Sequence, residues 1–415
     1  MGRAFSPLDE ELGLLPGSMS PRLLARVVRS ANQLTFAKAA EDVTDYWGMW
    51  LDAETVRRVT EAAGAAYVAV QEAEVVRLGQ DWPAPPQGAP VMQVSVDGAF
   101  VPLRHGEWAE VKTLAIGTVT VSRNRKGESE VHTTDLSYFS RLAEAGDFTH
   151  QARGEVHRRG VQTAGLVAAI NDGSPWTQGI VEVYRPDATR ILDFPHPLEH
   201  LTLAAQATYG AGSLPAQTWW REQAHALKQE GPAPVLAALR LLPVESAADP
   251  VDAAKAQRET LGYLGARLDE LRYPDFLAQG LPIGDGAVES ANKLVVEARL
   301  KGSGMRWERS NVNPLVALRT ALCSKRWVEA WTAISAQLRQ QDRLRRRARW
   351  LQRHPPAAPP TADPAPAPPN MPLLRSAAKK LRERAKPAPR IVDGRPTKDH
   401  PWRQPLSHRP HREAI

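Results

Sequence analysis

The chain has 415 residues, 42% of them hydrophobic and 24% charged, with 35 prolines and a single cysteine. One cysteine, Cys323, excludes an intrachain disulfide framework and a cysteine-rich zinc module, and fits a reducing compartment. No apolar run approaches the roughly 18 residues of a membrane span, and residues 1–20 lack the basic start and apolar centre of a secretion signal, so a soluble, cytoplasmic protein is expected.

The net charge of +7 is unevenly placed. Residues 355–415 carry 12 Lys/Arg against 5 Asp/Glu, and residues 339–353 carry 7 Arg against one Asp. The body, 1–338, holds 34 positive and 40 negative residues, a net −6. A polyanionic partner is indicated, and the C-terminal fifth is where its attraction resides.

Helical spacing opens the chain. Apolar residues recur at Leu23, Leu24, Val27 and Val28, then at Phe36, Ala39, Ala40 and Val43. A third helix is expected after the N-cap residue Asp52, running as AETVRRVTEAAG to Gly64. Three helices with a short turn before the third fit a helix-turn-helix over 1–80, with Arg57 and Arg58, together with Glu54 and Thr60, as its DNA contacts. The Pro-rich stretch 81–90 reads as a linker.

The period then changes. VMQVSVDGAFVPL (91–103), VKTLAIGTVTVSRN (111–124) and SEVHTTDLSYF (129–139) read as strands, followed by helical patterning across 138–160. TAGLVAAIND (163–172) reads as a strand, SPWTQGIVEVY as a helix, and 189–208 as strand into helix. Together they predict an α/β fold with a mixed sheet over 91–212 and 281–340. Residues 213–280 read as an all-helical insertion of three helices, and 287–307 as a helix ending near Gly302. A helix over 313–340 is expected to continue into the basic helix 341–354, before a Pro-rich basic tail, 355–415, that cannot bury a core and is expected to be disordered.

Isolated carboxylates carry the chemistry. Asp97 and Asp172 each end an apolar run and each precede a glycine, a placement that suits a rigidly held metal ligand and equally a simple turn. Glu289, in PIGDGAVESANK, offers a third acid. Three carboxylates suit two-metal phosphodiester displacement, in which ions about 3.5–4 Å apart clamp the attacking and leaving oxygens. Lys293 lies one helical turn from Glu289, as a helix ion pair or as a cation near the scissile phosphate. Arg299, Lys301, Arg306 and Trp307 cluster around Gly302 and Gly304, as a solvated helix end or as a backbone-and-base contact. Arg345, Arg346 and Arg347 sit in QDRLRRRARWLQR, spaced to follow phosphates.

In the segments VSVDGAFVPLR, AAINDGSPW, ILDFPHPLEHL and GDGAVESANKLVVEARLKGSGMRW, and upstream in AAEDVTDYWGMWLDAETVRRVTEAAG, the chain resembles bacterial insertion-sequence transposases of the DDE class, the ISKra-type family related to Mutator-like elements. The resemblance spans roughly residues 5–340. It implies a ribonuclease H-like core interrupted by a helical insertion, with Asp97, Asp172 and Glu289 as catalytic, metal-holding acids for two Mg²⁺ ions, Mn²⁺ being a possible substitute. Asp193 and His196, in DFPH, match an auxiliary acid-or-Cys and His signature, although Asp193 also competes with Asp172 as the second acid. The partners implied are terminal inverted repeats, target DNA and further copies of the chain, with no membrane; the setting implied is bacterial and nucleoid-associated. The resemblance also implies additional sequence before residue 1. Two other readings keep the same sequence features: a non-cutting DNA-binding protein, and a structure-specific nuclease that does not join strands.

Overall fold

A computed structural model describes residues 19–81, 83–123, 125, 127 and 129–354, with the backbone of 391–392 and 395–396. The chain divides into two compact units, Met1–Trp350 and Leu351–Ile415.

Three helices begin the first unit: α1 (Pro21–Ala31), α2 (Phe36–Trp47) and α3 (Ala53–Asp81). Local caps set their starts. Ser20 and Thr35 accept from the backbone N–H of Leu23 and Lys38, and Asp52 accepts from the Thr55 N–H at 2.8 Å, satisfying donors the first turn leaves free. Helix α3 does not stop at Gly64 but runs 17 residues beyond it to Asp81. The glycine is there for packing: a Cβ at Gly64 would lie 2.3 Å from the Pro314 carbonyl oxygen, so helix α13 (Arg309–Cys323) crosses α3 against bare backbone.

Five strands follow: β1 (Val91–Pro102), β2 (Trp108–Arg123), β3 (Ser129–Arg141), β4 (Leu166–Asn171) and β5 (Thr189–Leu192). They form one sheet in the order β3-β2-β1-β4-β5, antiparallel through β1–β2–β3 and parallel through β1–β4–β5. This mixed sheet is the α/β class expected. Between β3 and β4 lie α4 (Ala145–Gln151) and α5 (Arg153–Arg158), and between β4 and β5 lies α6 (Gly179–Tyr184).

Strand alternation sorts the two faces. Met92, Val94 and Val96 of β1 join Phe148 and Val156 in one core, while Ala99 and Val101 join Val288, Val295 and Leu315 in another. The second face also carries Gln93, Ser95 and Asp97, so a polar stripe runs up the middle of an otherwise apolar strand. Gln93 reaches the Gly284 carbonyl at 3.3 Å, fixing the loop over that stripe.

The insertion holds four helices, not three: α8 (Leu214–Gln229), α9 (Pro232–Arg240), α10 (Pro250–Gly265) and α11 (Tyr273–Ala278), after α7 (Pro195–Tyr209). Their apolar residues Leu227, Leu239, Leu264 and Phe276 share a core with Ile170 and Leu192, which seats the insertion against β4 and β5. Helix α12 (Gly286–Ala291) then continues through a π-helical turn, Asn292–Glu297, and ends with Ala298–Leu300. The helix expected over 313–340 is broken. Helix α13 ends at Cys323, Lys325 takes φ 57°, and α14 (Trp327–Arg353) starts afresh. A left-handed residue cannot continue a helix, and Arg326 turns to Glu155 with contacts of 2.8 and 2.5 Å.

Among the described residues no helix is long and apolar enough to cross a membrane. In the second unit the described residues include a short antiparallel ladder, β6 (Ile391–Val392) with β7 (Arg395–Pro396). The rest of the expected tail, 355–415, lies outside the described residues.

Candidate metal-binding acidic site

The parallel part of the sheet gathers the acids. Extending the β1–β4 register from Val94 opposite Ala169 sets Asp97 level with Asp172. Extending β4–β5 from Asn171 opposite Leu192 sets Asp172 beside Asp193. Three neighbouring strands therefore bring a carboxylate each to one level of the sheet, Asp97 midway along β1 and Asp172 and Asp193 just past the ends of β4 and β5. Asn171 ties this level together: its side-chain oxygen accepts from the Val96 N–H at 2.7 Å, and its carbonyl accepts from the Asp193 N–H at 2.9 Å.

Asp193, only 3% exposed, is the centre of the arrangement. Its Oδ1 accepts from the Asp285 N–H at 2.8 Å, and its Oδ2 lies 3.6 Å from His196 Nε2. One ligand atom from each of Asp193, His196 and Asp285 lies within 4.8 Å of the others, a separation a single cation can bridge. Asp285 escaped the sequence reading because GDG reads as a loop. The signal that could have found it is its spacing: it lies four residues before Glu289, where the α12 helix begins.

The acids repel one another. Burial raises the Asp285 carboxyl to about 8, and the charges of Asp193, Asp97, Glu289 and Asp172 add to it. Burial likewise raises Asp97, with Asp172 contributing, against hydrogen bonds from the Gly98 N–H and Asn292 Nδ2, each at 2.7 Å. Asp193 is raised by burial and by Glu289 and Asp97, and lowered by the Asp285 N–H and His196. Such a set stabilises a bound cation, because the cation removes the repulsion that burial intensifies. Carboxylate oxygens with one imidazole suit Mg²⁺ or Mn²⁺, and the Asn292 Oδ1, buried without a partner among the described residues, adds a hard oxygen beside Asp97.

The expected third acid stands differently. Glu289 lies within electrostatic reach of Asp193 and Asp285, yet its side chain is 62% exposed and its Oε1 accepts from Lys293 Nζ at 2.5 Å. Both oxygens of Asp172 are taken by Ser174, from its N–H and its hydroxyl, each at 2.8 Å, which is the turn alternative in full. The insertion secures this turn from outside. Tyr263 donates to the Asp172 carbonyl at 3.2 Å, Arg267 donates to the Gly173 carbonyl at 3.1 Å, and Arg267 lies 4.1 Å over the Tyr263 ring. His200 stacks on the other side of that ring at 3.7 Å, its basicity lowered by burial and by Arg267.

The expected DNA contacts separate into buried and exposed. Arg299 and Trp307 are in the core: the guanidinium sits 4.6 Å from the Phe36 ring and 5.0 Å from the Trp307 ring, and Nε donates to the Ala31 carbonyl at 3.0 Å. Trp307 donates to the Leu300 carbonyl at 2.9 Å. Neither side chain can meet phosphate or base, because the same aromatic cage that replaces water around the cation closes it off. Lys301 pairs with Glu297, and Arg306 is exposed. Arg57 is held by Glu54 and Glu61, Thr60 is buried, and Arg58 is exposed. Arg345, Arg346 and Arg347 are exposed on α14, with Arg346 paired to Asp342.

A cavity of about 530 Å³, lined by Leu78, Pro83, Arg153, His157 and Tyr184, shares no residue with the acids. Asp97, Asp172 and Asp285 are part-exposed and Asp193 is buried. No protein-family model matches the chain, and neither does any curated protein.

Proposed function

We propose that the chain is a metal-dependent phosphodiester-processing enzyme with a ribonuclease H-like core, acting as a DDE-type DNA transposase. The observation that carries this reading is the meeting of Asp97, Asp172, Asp193 and Asp285 with His196 and Glu289 at one level of three parallel strands. The mixed sheet with a helical insertion is compatible with such a core.

In this reading Asp193, Asp285 and His196 would hold one cation, with Asp97 and Asp172 on the neighbouring strands as further carboxylate donors. Bound Mg²⁺ or Mn²⁺ supplies Lewis-acid activation of water or a 3′-hydroxyl and offsets charge on the phosphate. Asn292 orients Asp97, and the Asp285 N–H orients Asp193, so each carboxylate presents a fixed oxygen. Tyr263 and Arg267 hold the Asp172–Gly173 backbone. Glu289 completes the set once its Lys293 contact is exchanged, which frees the ammonium for a phosphate oxygen.

The test is nicking and strand joining on supercoiled DNA carrying paired candidate terminal repeats, with Mg²⁺ or Mn²⁺. Asp97→Asn and Asp193→Asn should each abolish both products; full activity in either variant sinks the site. A second reading, DNA binding without cleavage, draws on the Asp172 turn and the Glu289–Lys293 pair, which leave both acids already engaged. Absence of any metal-dependent nicking favours it. Nicking without joined products points instead to a nuclease of the same core.

A further inference from the structure

Helix α1 presents Arg22, Arg26 and Arg29 to solvent at positions i, i+4 and i+7, which is one face of a helix. Among the described residues no carboxylate pairs with any of the three. The Arg26 guanidinium lies 5.4 Å over the Trp47 ring, so this face meets the C-terminal end of α2. There Gly48 takes φ 62° and ends the helix, and the chain leaves as Met49-Trp50-Leu51. Tyr46 is 76% exposed and Trp50 is 78% exposed, with Met49 beside them. Two large rings so open to water contribute little to the packing of α1–α3, and they flank Trp47, the residue that Arg26 meets.

We propose that this face binds single-stranded nucleic acid, its phosphates along Arg22, Arg26 and Arg29 and its bases stacked on Tyr46 and Trp50. The pairing of a cationic row with exposed flat rings suits unpaired bases, since every base offers a face for stacking and the backbone supplies regular charge. Glu41 and Asp45 are exposed on the adjoining face of α2 and repel phosphate, which confines the strand to the α1 side. The Ser30 hydroxyl donates to Asp42 at 3.1 Å, and Asp52 is taken up by the α3 cap. A membrane surface suits the patch less well, because binding in the interface needs a continuous apolar face and these few side chains lie between acids. The surface is separate from Arg57 and Arg58 on α3, and it does not depend on the acidic site being catalytic.

Fluorescence anisotropy of a labelled oligo(dT) of roughly 12 nucleotides, titrated with the full chain, tests the assignment. Trp50→Ala should weaken binding about tenfold, and Tyr46→Ser, a second exposed site, should act in the same direction. Replacing Arg22, Arg26 and Arg29 with Gln should lower the slope of log affinity against log salt by about 2. The basic C-terminal region is the same in every variant, so the difference from the unmodified chain is the readout. Unchanged oligo(dT) affinity in both aromatic variants overturns the proposal. So does loss of capture by phosphatidylserine vesicles in those variants while oligo(dT) affinity stays the same.

Discussion

Asp285 shows how far a residue's chemistry depends on neighbours distant in sequence. In GDGAVES it looks like a loop acid; in the fold it lies against Asp193, and burial with four other carboxylates raises it to about 8. A raised carboxyl stabilises the fold while protonated, so that contribution is present below the ordinary value of 3.8 and is lost as pH rises toward about 8. In chelator, the melting temperature should therefore fall between those limits, and Asp285→Asn should flatten the decline. Cation binding must displace the same proton, so calorimetry in buffers of different ionisation enthalpy should register proton release near neutral pH that Asp285→Asn removes. Arg299 makes the complementary case. Charge around Gly302 suggested a surface cluster, but the cation is caged by Phe36 and Trp307, and burial lowers it to about 10. Arg299→Ala should cost about 2–3 kcal/mol in urea denaturation, whereas a surface phosphate contact would leave the midpoint unmoved.

At the scale of elements, period and capping made most of the fold legible. The alternating runs that begin at 91, 111 and 129 became β1, β2 and β3, and Asp52 caps α3 as its residue type indicates. What local pattern does not carry is why a glycine is present. Gly64 resembled a helix stop, yet it is the contact at which α3 and α13 touch. Gly64→Ala gains about 1 kcal/mol of helix propensity, but its Cβ meets Pro314 backbone atoms at 2.3, 2.6 and 2.8 Å, which cannot swing aside. Overpacking of this kind costs about 1–3 kcal/mol, so net destabilisation is expected, and a raised urea midpoint would refute the packing account. The insertion gives a second element-level prediction. Its helical texture was readable; its grip on the Asp172–Gly173 turn through Tyr263 and Arg267 was not, because those residues lie more than 80 positions away in sequence. If the chain cleaves DNA as proposed, Arg267→Ala should lower that cleavage by about ten- to a hundredfold in kcat, with little change in KM and an unchanged far-ultraviolet spectrum.

At the scale of the whole molecule, charge and packing divide at nearly the same place along α14. The last side chains of α14 that reach the core are Ile334, Ser335 and Leu338; beyond them the helix presents Arg343, Arg345, Arg346 and Arg347 to solvent. Deleting everything after Leu338 leaves the buried side chains of α14 in place and takes the net charge from +7 to −6. If the C-terminal fifth supplies the general attraction for DNA, each of the seven arginines of 339–353 and the 12 Lys/Arg of 355–415 that meets a phosphate contributes about 0.9 to the salt slope, the seven arginines of the helix alone up to about 6, so the slope should fall steeply. The melting temperature should be unchanged. Calorimetric Mn²⁺ affinity should also be retained, because Asp97, Asp172 and Asp193 lie in or just past β1, β4 and β5 and Asp285 at the start of α12, all before Leu338. An unaltered salt slope after truncation would place the attraction on the body instead, where Arg22, Arg26 and Arg29 of α1 form one exposed cationic face. The two measurements thus separate a polymer-gathering extension from an acidic site whose repulsion a cation must offset before phosphate can approach.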